Sequence, residues 1–187
     1  MIIIDINTKI QIMKVVYINI QNFYNLDDKS FKVDLKKLQH TAGWFIIEYI
    51  AKNLYNISDN KISYKNHKPY LKNSNIKFNI SHSENISAVV FDENEVSLDV
   101  EYMKKRDLKN FENRYKKTFS SIENFYEFWT NYEAEIKLQK EVFDKKSLVF
   151  LDKYFMTIAS EKKIKKIKFY ELKKIEKNVF ELQDVII

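Results

Sequence analysis

The hydrophobic pattern of this chain changes period twice, and that limits the folds open to it. From residue 35 to 55, "LKKLQHTAGWFIIEYIAKNLY" carries Leu35, Leu38, Ala42, Phe45, Ile46, Tyr49, Ile50 and Leu54 at helical spacing. The pattern then shortens: "NISDNKISYKNHKPYLKNS" reads as strand and turn, and "IKFNIS", "ISAVVFDE" and "EVSLDVEYM" follow as strand-like runs separated by polar turns. From about 107 to 143 it is helical again, notably in "SIENFYEFWTNYEAEIKLQKEVF", where Ser120 or Ser121 is placed to cap the start. Strand-like runs flank both ends: "MIIIDI" and "KVVYINI" before a polar turn, "KYFMTIAS" and "IKKIKFYELKKI" at the close. The elements alternate without a regular βαβ beat, which predicts an α+β fold. Each half presents a helix and then strands, a similar order in both.

Composition narrows the function classes. At 187 residues, 45 % hydrophobic with 14 Phe and 12 Tyr, the chain suits one domain with a sizeable core, not a disordered segment. No cysteine is present, so disulfides and thiolate metal sites are excluded and a reducing, cytoplasmic setting is expected. "MIIIDI" is too short for a signal peptide, and no apolar run approaches the roughly 20 residues a membrane span requires. Gly43 is the single glycine, which excludes the phosphate-cradling loops of kinases and GTPases. The net charge is +6, from 32 Lys+Arg against 26 Asp+Glu, with Arg106 and Arg114 the only arginines. A lysine-rich surface favours polyanionic or acidic partners, and the same excess follows from an AT-rich coding composition. Eight lysines between 162 and 177 read as an edge strand guarded by lysine. Without a helix-turn-helix, zinc or RNA-recognition signature, nucleic acid is not an expected partner.

Three carboxylates stand out. Asp99 and Glu101 project from one face of the strand "SLDVE", and Glu133 lies on a helix that aligns Trp129, Glu133 and Lys137 at i, i+4 and i+8. Spacing alone also fits a polar outer strand face, a solvated Glu133–Lys137 pair and a structural His82. Taken together, hard oxygen ligands from two elements, with lysines and a histidine beside them, suit Mg²⁺ and a phosphorylated ligand. A divalent cation would also relieve the repulsion between Asp99 and Glu101.

"KPYL", "IKFNISHS", "VSLDVE" and "FYEFWTNYEAEIK" stand in the order seen in 4′-phosphopantetheinyl transferases, and over 43 to 137 the chain resembles the surfactin-synthetase-activating type. The resemblance implies two similar α+β halves, 1–98 and 99–187, packed pseudo-symmetrically in a monomer with a cofactor cleft between them. It implies transfer of phosphopantetheine from coenzyme A to a serine of an acyl or peptidyl carrier protein. By position, Asp99, Glu101 and Glu133 would be the Mg²⁺ ligands, with Glu133 also the base and Lys137 on the leaving phosphate. Lys68, Ser81 and His82 would hold coenzyme A. The alternative is a relative that binds coenzyme A or a carrier protein without transfer. The chain departs from the family pattern at His67 and Ser97, where glycine is usual, at Tyr132 in place of lysine and at Gln39 in place of arginine. The Lys137–Tyr154 stretch is short, which predicts loss of a hairpin there.

Overall fold

The strand β1 (Met13–Asn19), M-K-V-V-Y-I-N, has apolar residues at odd and even positions alike, and this places it inside a sheet covered on both faces. A computed structural model describes residues 11–26, 28–58, 61–66 and 68–187, and of 28–33 the backbone only. The "MIIIDI" run and His67 lie outside the described residues.

After β1 come α1 (Ile20–Tyr24), α2 (Asp28–Asn53), β2 (Ile62–Lys65), β3 (Lys68–Leu71), β4 (Lys77–Ser83), β5 (Ile86–Asp92) and β6 (Val96–Tyr102). The rest of the chain forms α3 (Lys109–Tyr115), α4 (Ile122–Leu138), β7 (Asp144–Phe150), β8 (Tyr154–Ser160), β9 (Ile167–Glu176) and β10 (Val179–Val185). The fold is α+β. A five-stranded sheet runs β10-β9-β1-β5-β4, a three-stranded sheet runs β6-β8-β7, and β2-β3 form a separate hairpin. Within the larger sheet β1 pairs antiparallel with β5 and parallel with β9.

Four layers result. Val15, Tyr17, Ala88 and Val90 on one face of the larger sheet pack against Val96, Leu98, Val100, Met156 and Ile158 of the smaller one. The opposite face of the larger sheet, with Val16, Ile18, Val89 and Phe91, packs against Ala42, Ile46, Ile47 and Ile50 of α2. Phe125, Tyr126, Ala134 and Leu138 of α4 cover the outer face of the smaller sheet at Phe155 and Ala159. Each fully buried aliphatic side chain in these layers contributes about 1.5–3 kcal/mol.

Gly43 lets α2 approach the larger sheet closely. A Cβ there would meet Ile80 Cγ2 at 2.9 Å and Ser87 Oγ at 3.3 Å. The β-branched methyl of Ile80 is stiff, so the gain in helix propensity from alanine, about 1 kcal/mol, is overridden by crowding. Gly43→Ala is expected to destabilise the fold by about 1 kcal/mol net in urea unfolding, and a stabilised variant would show that α2 has room to move.

Ser121, one of the two expected candidates, caps α4, accepting from the Asn124 amide at 3.0 Å. Other elements differ from expectation. The polar turn after β1 is instead the short helix α1, capped by Asn19 and burying Ile20 and Phe23. The hairpin expected to be lost is present: β7 pairs with β8 through Leu151 and Asp152, both left-handed at φ 49° and 59°. β9 is not an edge strand, because β10 pairs along its outer side from Phe169 to Glu176. With glycine used once, left-handed turn positions fall to asparagine at 25, 56, 66, 73 and 178.

Candidate functional site

β4 and β6 are each the last strand of their sheet, and they face one another. An open β edge leaves amide donors unpaired. Here side chains close the gap. Asn79 Oδ1, Ser81 Oγ and Ser83 Oγ, alternate residues of β4, accept from the amides of Leu98, Val100 and Tyr102 at 3.0, 3.2 and 3.0 Å. The alternation matches the strand period on both sides, so a single register satisfies three amides.

This seam also aims the carboxylates. Even-numbered residues of β6 enter the inter-sheet core, which turns Ser97, Asp99 and Glu101 toward α4. The Ser97 hydroxyl donates to the Ala134 carbonyl at 2.6 Å and ties strand to helix. Ser81 donates to Asp99 Oδ1 at 3.2 Å, and Ser83 donates to Glu101 Oε2 at 3.0 Å. Each serine therefore spends its one proton on a carboxylate while accepting from the adjacent strand. With its hydroxyl committed in this way, Ser81 positions Asp99.

Lys137 arrives from the last turn of α4. Its ammonium donates to Asp99 Oδ1 at 2.5 Å, to Ser81 Oγ at 3.2 Å and to the Leu98 carbonyl at 3.3 Å. The Asp99 side chain is 5 % exposed, and its other oxygen, Oδ2, is buried with no hydrogen-bond partner among the described residues. Such an oxygen keeps its desolvation penalty uncompensated unless a cation or donor reaches it. At the other end of the carboxylate pair, the Trp129 indole lies near Glu101 and favours its charged form. Burial raises the Glu101 pKa above the usual carboxylate value and the Asp99 charge raises it further, while the Ser83 hydrogen bond, the nearby Trp129 indole and the Lys137 charge act in the opposite sense.

The remaining predicted residues divide. His82, exposed on β4, has its pKa lowered by desolvation and then by the Lys137 charge; His40 adds to this and Asp99 opposes it. Its ring lies within the field of Asp99 and Lys137. Lys68 pairs with Glu95 at 2.8 Å and lies 3.5 Å from the Leu138 carbonyl, at the C-terminal end of α4. Glu133 is half-buried between Trp129 and Lys137 on the same helix stripe, and among the described residues it makes no hydrogen bond or ion pair. Among the described residues no three His, Asp or Glu side chains form a ready-made metal cluster. Asp99 and Glu101 are gathered, and Glu133 does not complete a group of three with them among the described residues.

Asn79, Ser83 and Trp129 belong to this site although the sequence motifs assign them no such role. Their signal was the period-two run of small polar residues in "NISHS" and the place of Trp129 one turn before Glu133. The donor set suits Mg²⁺, which takes one or two carboxylates and fills its other positions with water and phosphate oxygens. The buried, unpartnered Asp99 oxygen is the observation that favours such an ion. Compared with models of known protein families and with curated proteins, the chain matches none.

The raised Glu101 pKa sets a pH dependence. A carboxyl whose pKa is higher folded than unfolded binds more protons in the native state, so stability falls as pH rises from the unfolded value through the folded one. Glu101→Gln keeps an acceptor for Ser83 without the charge. It is expected to flatten that decline and to melt above the parent at pH 7 in thermal scans without divalent cations. A parent-like slope in the variant would rule Glu101 out as the source.

Proposed function

We propose that this protein transfers 4′-phosphopantetheine from coenzyme A to the serine hydroxyl of an acyl or peptidyl carrier protein, with Mg²⁺ as cofactor. The observation that carries the reading is Asp99: buried, with one oxygen that meets no partner among the described residues, beside Glu101 and under Lys137 on an edge shared with Ser81 and His82. The order of the four motifs over 43 to 137 agrees with it.

In this reading Asp99 and Glu101 hold the cation, with Glu133 completing the set from α4. When bound, the ion neutralises charge on the diphosphate of coenzyme A, the main requirement of phosphoryl transfer. His82 donates an N–H to a phosphate oxygen. Lys68 serves the nucleotide end once its pair with Glu95 opens. Glu133, hydrogen-bonded to none of the described residues, accepts the proton of the incoming serine. The serine oxygen forms a new bond to the pantetheine-bearing phosphorus as the bond to adenosine 3′,5′-bisphosphate breaks, and Lys137 steadies the departing phosphate.

The finer architecture belongs to the same proposal. Residues 1–98 and 99–187 would be two related halves, α2 on the larger sheet and α4 on the smaller, with the cleft along the β4–β6 seam of a monomer. No helix among the described residues is long and apolar enough to cross a membrane, and the co-substrate points to the cytoplasm. The lysine excess would steer acidic carrier proteins.

Intact-mass measurement of a candidate carrier incubated with this protein, coenzyme A and Mg²⁺ tests the reaction. The expected gain equals coenzyme A less adenosine 3′,5′-bisphosphate, on a serine. The engagement of Lys68 by Glu95 favours a second reading, a module that binds the carrier without transfer. That reading predicts complex formation and an unchanged mass.

A further inference from the structure

In the conformation described here Lys137 cannot act on a substrate. An ammonium has three donors, and those of Lys137 are taken up by Asp99 Oδ1, Ser81 Oγ and the Leu98 carbonyl. Its tether is the last turn of α4, where the carbonyl end of the helix also favours a cation. It is held nonetheless at a place from which it can leave, with its side chain 29 % exposed against 5 % for Asp99.

The charges around it make the arrangement a competition. Asp99 and Glu101 carry two negative charges when ionised, and Lys137 returns one positive. A divalent cation reaching Asp99 Oδ2 meets a net single negative charge while the ammonium is in place and a double one once it withdraws. Two cations on opposite oxygens of one buried carboxylate repel each other strongly in a medium of reduced dielectric. We propose that Lys137 is the resting counter-ion of Asp99, displaced when a divalent cation binds, so that metal arrival frees the ammonium for the phosphate of the ligand. The last clause rests on the transferase reading; the displacement itself does not.

The test uses the full chain without coenzyme A or carrier. Mn²⁺ binding is followed by the loss of the free-ion EPR signal, for the parent, Lys137→Gln and Lys137→Arg. Glutamine still donates to Ser81 or the Leu98 carbonyl but carries no charge. We expect Lys137→Gln to bind Mn²⁺ at least about tenfold more tightly than the parent, and Lys137→Arg to stay close to it. Adding Asp99→Asn to Lys137→Gln should erase the gain. Equal or weaker binding by Lys137→Gln, or no binding by either protein, overturns the proposal.

A second measurement needs no substitution and so does not depend on a variant folding. Amine acetylation of the parent, mapped by peptide mass, should modify Lys137 several-fold faster with saturating Mn²⁺ than without, relative to the exposed Lys104 in the same sample. An unchanged ratio overturns the proposal. Because neither readout involves transfer, failure here leaves the carrier-mass result to decide the transferase reading separately.

Discussion

Asp99→Asn is expected to lower carrier loading by about 10³-fold or more while leaving the fold in place. Asparagine matches the carboxylate in shape and retains an oxygen to accept from Ser81 and Lys137, so the seam between β4 and β6 survives. What it removes is the negative charge and the free anionic oxygen at Oδ2. The thermal midpoint should move little. Loss of the Lys137 ion pair is offset by no longer burying an ionised group, and Lys137 is exposed enough to turn into water. Glu133→Gln, which removes a proton acceptor but no gathered ligand, should cost a smaller factor, about 10²-fold. Initial rates of carrier modification, read alongside melting curves, distinguish the two. Parent-like loading by Asp99→Asn would show that the reaction does not use this carboxylate.

Phe125→Ala is expected to produce the largest loss of stability among the side chains near the site, about 3–5 kcal/mol in urea or thermal unfolding. Phe125 is fully buried and joins α4 to α3 and to the smaller sheet. Its ring meets Phe111 at 4.9 Å, Tyr126 at 5.1 Å and Phe119 at 5.2 Å edge-on, and lies nearly parallel to Trp129 at 6.3 Å. The Arg106 guanidinium sits 5.4 Å from its centre. Truncation leaves a cavity bounded by rigid rings that cannot collapse into it, and each edge-to-face contact adds to the transfer loss. Trp129 loses its parallel neighbour in the same step. Since Trp129 lies beside Glu101, the variant should also bind divalent cations more weakly at temperatures where it remains folded. A loss below about 1 kcal/mol would mean that α4 is held mainly by its other contacts, Ser97 to Ala134 and the Thr130–Thr157 hydroxyl pair.

Strong periodicity made some of this legible from the residues alone. α2, α4 and the run β4–β5–β6 carry long, uninterrupted patterns, and Ser121 is a capping residue in the expected place. β7 is obscured because "DKKSLVF" is an edge strand, exposed at Lys145, Lys146 and Ser147, so only Leu148 and Phe150 mark its buried side. The lysines of β9 suggest an edge, yet Leu172 is buried between neighbours: Phe180 and Leu182 of β10 supply an alternating apolar face that covers the same side as α2. Tertiary pairing, not local pattern, places β10.

The site divides the same way. Asp99 and Glu101 on one face followed from the strand period, and Lys137 on the same stripe as Glu133 followed from the helix period. That Asn79, Ser81 and Ser83 would satisfy the amides of the facing strand did not follow, because no local pattern states which edges of two sheets meet. Nor did the pairing of Lys68 with Glu95, which depends on the β2–β3 hairpin lying over the loop before β6.

The most direct test of the account is a crystal structure of the full chain with coenzyme A and Mg²⁺. The account predicts an ion bonded to Asp99 Oδ2 and to a Glu101 oxygen, with the diphosphate completing its shell and the Lys137 ammonium moved off Asp99. Coenzyme A bound away from the β4–β6 edge, with the Asp99 oxygen still lacking a partner, would contradict it.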